Sequence, residues 1–142
     1  MRKLIKSREG SAAILFFGIT LALLFSAFLI IEMGSTYESY DYAMDILQRS
    51  CNSAVEANII DAYRADRLLV MDTAGAEEDF YRFVSNDLID RYSLAVDSVT
   101  CTASPPSMTV TGRVTFSTIF AQYGWDDLTF TFKVRATNYD LK

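Results

Sequence analysis

Histidine is absent from this 142-residue chain, and cysteine and proline each occur only twice. Without histidine, the chain lacks the commonest general base and the commonest metal ligand of proteins. The two cysteines, Cys51 and Cys101, are 50 positions apart, which excludes the close ligand spacing of a structural zinc site. No nucleophile–base pair or glycine-rich phosphate loop can be assembled from the other residues. We therefore expect a protein that is not an enzyme and that uses no cofactor or metal.

Proline is also missing from the first two thirds of the chain, since its two copies are Pro105 and Pro106. Proline interrupts helices because it lacks a backbone N–H and its ring clashes with the preceding turn. The simplest interpretation of residues 11–66 is therefore one long helix, roughly 80 Å in length at a rise of about 1.5 Å per residue.

Charge is missing from one stretch, Ser11 to Ile31, whose 21 residues are almost all apolar. As a helix this stretch would be about 31 Å long, close to the ~30 Å hydrocarbon thickness of a bilayer. The apolar region of a removable secretory signal is usually only ~7–15 residues and precedes a small-residue cleavage site. Here Glu32-Met33-Gly34 follows instead. We interpret residues 11–31 as a retained membrane helix, and a secreted protein that has lost its signal is the weaker alternative.

The charges on the two sides of this run differ in sign. Arg2, Lys3, Lys6 and Arg8 precede it, whereas the first four charged residues after it are acidic. Because basic residues stay on the cytoplasmic side of a spanning helix, we predict a single-pass protein of the cytoplasmic membrane with its N-terminus inside. From residue 32 onward there are 9 Lys and Arg against 17 Asp and Glu. Such a surface repels phosphate backbones, so nucleic acid is not an expected partner.

After the apolar run, the helical pattern becomes amphipathic. Mostly apolar residues recur at alternating spacings of four and three, at Met33, Tyr37, Tyr40, Met44, Leu47, Cys51, Ala54 and Asn58. Such a stripe indicates one packed helix face. It could cover the protein's own core or meet a partner helix, and both interpretations stay open. The tyrosines nearest the membrane, Tyr37, Tyr40 and Tyr42, would suit an interfacial aromatic belt.

A second, shorter helix is predicted over residues 76–92. Glu77-Glu78-Asp79 would lie in its first turn, where the positive end of the helix dipole favours acidic side chains. Phe80, Phe83, Val84, Leu88 and Tyr92 would form its apolar face.

Beyond Tyr92 the apolar period changes from that of a helix to that of a strand. Residues 108–120 and 128–137 alternate apolar and polar side chains, which predicts two half-buried strands joined by a hairpin loop over 121–127. Pairing Phe120 with Leu128 keeps all apolar side chains on one face. Residues 93–104 predict a weaker first strand, whose inward face is ambiguous because Val96 and Val99 fall on opposite sides.

The expected fold class is therefore α+β. A basic leader (1–10) and a transmembrane helix (11–31) precede one extracytoplasmic domain (32–142), which includes the continuation of the long helix. That domain adds the shorter helix and a three-stranded antiparallel meander, whose apolar face the helices must cover.

The two ends of the apolar run resemble those of one protein family. Arg8-Glu9-Gly10-Ser11-Ala12-Ala13 resembles the R-x-G-A-A-A start of TadE-like pseudopilins, and Ile30-Ile31-Glu32-Met33-Gly34 is similar to that family's I-I-E-F-G sequence. These proteins belong to the tight-adherence (Tad/Flp, type IVc) pilus system. The resemblance covers residues 8 to about 60. The whole plan, with its basic leader, its long helix and its small C-terminal sheet, resembles that of type IV pilins.

The resemblance implies a class III signal peptide that a prepilin peptidase cuts between Gly10 and Ser11. It also implies a structural role in a cell-surface filament involved in adhesion, with other pilin or pseudopilin subunits as partners and membrane lipid before assembly. The family usually has glutamate five residues after the cut, where this chain has Leu15. This departure favours a minor, tip or initiator subunit. The alternative is a bitopic, membrane-anchored binding or sensor module.

Cys51 and Cys101 are a candidate disulfide because both lie outside the cytoplasm in the predicted topology. The bond would close a loop of about 50 residues and contribute around 4 kcal/mol on the chain-entropy model. Two buried free thiols are the alternative, since free cysteines pack as small apolar residues.

The candidate subunit contacts are Tyr37, Tyr40, Arg113, Trp125, Lys133 and Arg135. In the predicted register Arg113 and Arg135 are directly opposite each other, an unfavourable arrangement that an acidic segment could relieve. That segment could be Asp97 or part of a neighbouring subunit, or the basic side chains could simply be splayed into solvent. Trp125 could anchor an interface or fold back over the hairpin.

Overall fold

A computed structural model describes residues 8–60 and 69–138, without the side chains of positions 8, 9 and 123. The elements are α1 (Arg8–Ala57), α2 (Thr73–Asp87), β1 (Tyr92–Thr102), β2 (Ser107–Phe116), a 3-10 helix (Ile119–Tyr123) and β3 (Leu128–Thr137). The three strands form one antiparallel sheet in the order β1-β2-β3. The predicted α+β class, with a long helix, a shorter helix and a three-stranded meander, is confirmed. The chain divides into two compact units, Met1–Tyr37 (the first unit) and Glu38–Lys142 (the second unit).

The long helix ends at Ala57, nine residues before the predicted end. Side-chain hydrogen bonds of Asn58 take the place of a further helical turn. Its amide nitrogen donates to the carbonyl oxygen of Ala54 at 2.9 Å and to the carboxylate of Asp79 at 3.0 Å. Ile59 then forms an isolated antiparallel bridge with Met71. The helical prediction was therefore wrong for residues 58–60, and its remainder, 61–66, lies outside the described residues.

The bounds of the second helix were also predicted wrongly, by a few residues at each end. α2 begins at Thr73 because Asp72 caps it, accepting hydrogen bonds from the backbone N–H groups of Ala74 at 3.1 Å and Gly75 at 3.3 Å. The acidic run at residues 77–79 therefore lies beyond the first turn. Tyr92, expected on the helix, is instead the first residue of β1.

A β-bulge resolves the ambiguous first strand. The pairing of β1 with β2 shifts between Val96 and Ser98, so that Asp97 is the extra residue. The shift reverses the alternation of side chains and brings Val99 back to the face that Val96 occupies. Both valines consequently pack against the same core.

The hairpin of β2 and β3 has a different register from the predicted one. Phe116, and not Phe120, pairs with Leu128. Phe120 lies in the 3-10 helix, which shortens β2 and lengthens the connection. Because the shift is an even number of residues, the apolar face is unchanged, but Arg113 is opposite Thr131 and Arg135 is opposite Thr109. The expected pairing of the two arginines was therefore wrong.

Helices α1 and α2 pack against the apolar face of the sheet and close the core of the second unit. The main cluster joins residues of both helices, of β2 and β3, and of the isolated bridge before α2: Leu47, Cys51, Ala54, Val55, Met71, Ala76, Phe80, Val84, Met108, Val110, Phe132, Val134 and Ala136. A smaller cluster contains Ala43, Tyr92, Val114 and Phe116, with Tyr40 and Phe130 packed against it. From Tyr40 onward, the apolar stripe of α1 therefore serves the protein's own core.

Candidate functional site

The first unit offers an apolar helical surface. α1 is long and apolar enough to cross a membrane, and none of its most apolar window is buried. Only two side chains between residues 12 and 31 are polar, and both are satisfied within the helix. Thr20 donates to the carbonyl oxygen of Phe16 at 2.9 Å and Ser26 to that of Ala22 at 2.8 Å. A helix with its hydroxyl groups bonded in this way is suited to a lipid environment.

A shallow apolar hollow lies on this helix around Gly18. It is lined by Gly18, Leu21, Ala22, Leu24, Phe25 and Phe28. A Cβ atom added at Gly18 would meet nothing within 4 Å. Small residues at a helix surface allow another helix to approach its backbone closely, which is the usual basis of helix association in lipid.

Glu32, directly after the apolar run, has a buried side chain at 9% exposure. Neither of its carboxylate oxygens has a hydrogen-bond partner in the described part of the chain. A buried carboxylate without a donor is energetically costly.

The predicted processing site lies in the described part of α1, which is helical from Arg8 onward. Gly10 is half-buried and Ser11 is exposed. Cleavage between these two residues stays a prediction.

The three tyrosines that the sequence predicts to lie near the membrane have different surroundings. Tyr37 is 66% exposed. The ring of Tyr40 contacts that of Phe130 with 5.4 Å between centroids, whereas Tyr42 stacks on Tyr92 at 5.4 Å and donates a hydrogen bond to the carbonyl oxygen of Asp87. The second unit thus uses two of the three tyrosines in its own packing, and Tyr37 is the one left open for an interface.

The outer face of the sheet carries the three predicted basic contacts. Arg113 donates to the carboxylate of Asp97, the bulge residue, at 3.0 Å. The same chain therefore supplies an acidic partner for Arg113. Lys133 and Arg135 are exposed and have no ion-pair partner within residues 8–60 and 69–138. On a chain with a net charge of −5, these two cations form a surface that favours an acidic partner.

Trp125 lies at the end of the hairpin. Its backbone N–H donates to the carbonyl oxygen of Phe120 at 3.4 Å, and the two rings lie 5.3 Å apart. Gly124, at a φ of 90°, makes the left-handed turn that this arrangement requires. Trp125 nevertheless stays 68% exposed. The ring therefore folds back onto Phe120, and its role as an interface anchor stays a prediction.

Cys51 and Cys101 are free thiols that belong to the same core. Cys51 donates a weak hydrogen bond from its Sγ to the carbonyl oxygen of Met108 at 3.7 Å, and Met108 is the strand partner of Cys101. The two cysteines thus approach one residue from α1 and from β1. The disulfide remains a prediction. Burial raises the pKa of the Cys51 thiol from 9.0 to about 11 and also raises the pKa of the Cys101 thiol.

The raised pKa of Cys51 predicts a loss of stability in alkali. Above pH 9 the unfolded chain ionises this thiol while the folded chain keeps it protonated, so the free energy of unfolding falls as the pH rises towards 11. We expect the reduced wild-type chain in detergent micelles to lose roughly 1 kcal/mol more than Cys51→Ala between pH 8 and pH 10. Urea unfolding measures this difference. Equal losses with reductant present would contradict the prediction, and a difference seen only with reductant would indicate the disulfide.

Arg49 and Arg91, which the sequence did not single out, connect α1 to the end of α2 and to the residues just before β1. Arg49 forms an ion pair with Asp87 at 3.1 Å. Arg91 donates to the hydroxyl of Tyr92 at 2.7 Å and to that of Ser39 at 3.4 Å. Both arginines are exposed. At an exposed position, nothing in the sequence distinguishes a charge that forms an ion pair or hydrogen bond from one that is solvated.

The described residues contain no group of three or more cysteine, aspartate or glutamate side chains that could hold a metal ion. The candidate features of the described residues are the apolar helix with its hollow, the buried Glu32, the basic sheet face and the hairpin end. No family model, characterised protein or solved structure matches the chain.

Proposed function

We propose that this chain is a pilin-like structural subunit, in a minor, tip or initiator position, of a Tad/type IVc-like surface filament involved in adhesion. It is inserted in the cytoplasmic membrane with its second unit outside, loses residues 1–10 to a prepilin peptidase, and joins the filament through its apolar helix. The observation that carries the proposal is α1. Its first half is apolar and exposed, and its second half forms the core of the second unit.

The proposed mechanism is packing and not chemistry. The hollow at Gly18 accepts an apolar helix of another subunit. Outside the membrane, Tyr37 and the free cations Lys133 and Arg135 provide further contacts. Leu15, in place of the glutamate usual in the family, fits a subunit that is incorporated rarely and does not repeat along the filament.

Shearing the host cells tests the proposal. The sheared filament fraction is expected to contain this chain together with other subunits that have apolar N-terminal helices. Replacing Gly10 by valine should remove the chain from that fraction, because a larger residue before the cut obstructs the peptidase. The matched control is Gly34→Ala, where an added Cβ meets nothing within 4 Å. A wild-type chain that stays entirely with the membrane after shearing would contradict the filament role.

A bitopic binding or sensor module is the second candidate, and two observations favour it. Leu15 removes the family's characteristic charge. In addition, the second unit has a groove beside the end of α2, lined by Tyr81, Val84, Ser85, Leu88, Ile89, Asp90, Tyr92 and Leu94. In this role the chain would remain in the membrane with residues 1–10 intact, so the shearing experiment separates the two functions.

A further inference from the structure

The hairpin between β2 and β3 exposes several large apolar side chains. Three large apolar side chains at or near its end are open to solvent: Ile119 at 38%, Trp125 at 68% and Leu128 at 37%. Trp125 is also held in place, since its ring lies on that of Phe120 and the turn at Gly124 fixes its backbone. A rigid aromatic group with one open face is typical of a contact surface.

Two contacts show which end of the second unit this hairpin occupies. The ring of Tyr40 in α1 contacts that of Phe130 in β3. Eight residues later in α1, Gln48 donates a hydrogen bond to the carbonyl oxygen of Arg135 at 2.9 Å. Residue numbers therefore rise in the same direction along α1 and β3. Leu128 and the connection before it lie at the end where α1 enters the second unit.

That end is close to the apolar run along the chain. Ile31 and Tyr40 are nine residue steps apart along α1, a rise of about 14 Å. Leu128 is two residues before Phe130, which brings the strand about 7 Å nearer to the same end, and three more residues lead to Trp125. The headgroup layer on each side of a bilayer is about 5–8 Å thick. The tether is therefore short enough for the hairpin end to reach that layer.

The chemistry of the hairpin favours the boundary between headgroups and acyl chains. Tryptophan concentrates at this boundary because its ring is apolar and its indole N–H is polar. Asp126 and Asp127 follow Trp125 directly and are exposed, so they would be repelled by anionic lipid and would keep the hairpin from entering deeply. Since Tyr40 packs against the core and Tyr42 stacks on Tyr92, Trp125 can replace them in the aromatic belt.

We propose that the hairpin end, formed by Ile119, Trp125 and Leu128, is a second membrane contact, which docks the second unit on a zwitterionic outer leaflet before the chain leaves the bilayer. The proposal rests on the membrane insertion that is part of the proposed function. It does not require processing or filament assembly.

Trp125 is the only tryptophan of the chain, so its fluorescence reports on this contact without labelling. The full chain is reconstituted into phosphatidylcholine vesicles, with plain lipid or with lipid brominated near the headgroup or near the bilayer centre. We expect Trp125 to lose at least about half of its emission to the shallow bromines and less to the deep ones, as for an interfacial tryptophan. The emission maximum should lie to the blue of that in urea.

The control is the double variant Trp125→Phe, Tyr81→Trp, which moves the probe to an exposed position on α2. Its emission should be insensitive to brominated lipid. Equal quenching of both probes would overturn the proposal, because the contact would not be specific to the hairpin.

Flotation of the same vesicles separates this inference from the proposed function. If the chain floats with the vesicles and Trp125 is not quenched, the hairpin contact is wrong while membrane insertion stands. A blue-shifted but unquenched Trp125 would indicate burial against a second copy, which also overturns the lipid contact. If the chain does not float, both the insertion and the hairpin contact are wrong.

Discussion

Replacing Leu21 and Leu24 together by arginine is expected to detach the chain from membranes. Each arginine near the centre of a spanning helix costs about 2.5–3.5 kcal/mol of insertion free energy, so the pair costs roughly 6 kcal/mol. Both leucines are more than half exposed, at 59% and 65%. The double variant therefore removes no core contact, and any loss of attachment must come from the lipid-facing surface.

Extraction of host membranes at alkaline pH measures this effect. The wild-type chain should remain in the membrane pellet, and the double variant should be released. A matched control places two arginines on exposed positions of the same helix in the second unit, Ser53→Arg with Ala57→Arg, and should stay in the pellet. Retention of the Leu21 and Leu24 variant would show that residues 11–31 are not the anchor.

Substituting Gly112 by alanine is expected to cost the second unit about 3 kcal/mol, at the upper end of the usual cost of overpacking. A Cβ atom at this position would lie 2.4 Å from the carbonyl oxygen of Ala95 and 2.8 Å from the Phe132 ring. The ring can turn away, but the carbonyl belongs to β1, which the ladder holds against β2 next to the bulge.

Urea unfolding of the full chain in micelles measures the loss. Gly34→Ala is the control, since nothing lies within 4 Å of its added Cβ, and it should be neutral or slightly stabilising. Adding Phe132→Leu to Gly112→Ala should restore part of the stability, because it removes the ring but not the carbonyl. Equal stability of Gly112→Ala and wild type would show that β1 and β2 are not paired as described.

The sequence predicts the elements of this fold well where a single periodicity decides them. The strand pattern around Met108 and Val134 gives the correct apolar face even though the register was wrong, because a shift by an even number of residues leaves the faces unchanged. The register of β2 with β3 depends on how residues 117–127 fold. In that connection Phe120 packs on Trp125, and the alternation of polar and apolar residues does not predict this contact.

Helix ends and irregular strands were less predictable, because long-range partners determine them. The bond from Asn58 to Asp79 joins residues 21 apart in sequence, and the bulge at Asp97 is recognisable only once β1 is paired with β2. The candidate surfaces were also predictable only in part. The apolar helix is evident from composition, whereas only the structure shows that Glu32 is buried and that Tyr40 packs against the core.

The N-terminal residue of the chain purified from its native host tests the central claim most directly. If the chain is a processed pilin-like subunit, intact mass and N-terminal sequencing will find molecules that begin at Ser11, which have lost residues 1–10 with their four basic side chains. Molecules that all begin at Met1 would contradict that account and favour the permanently anchored module. A start near Ala27 would instead identify residues 1–26 as a removed secretory signal.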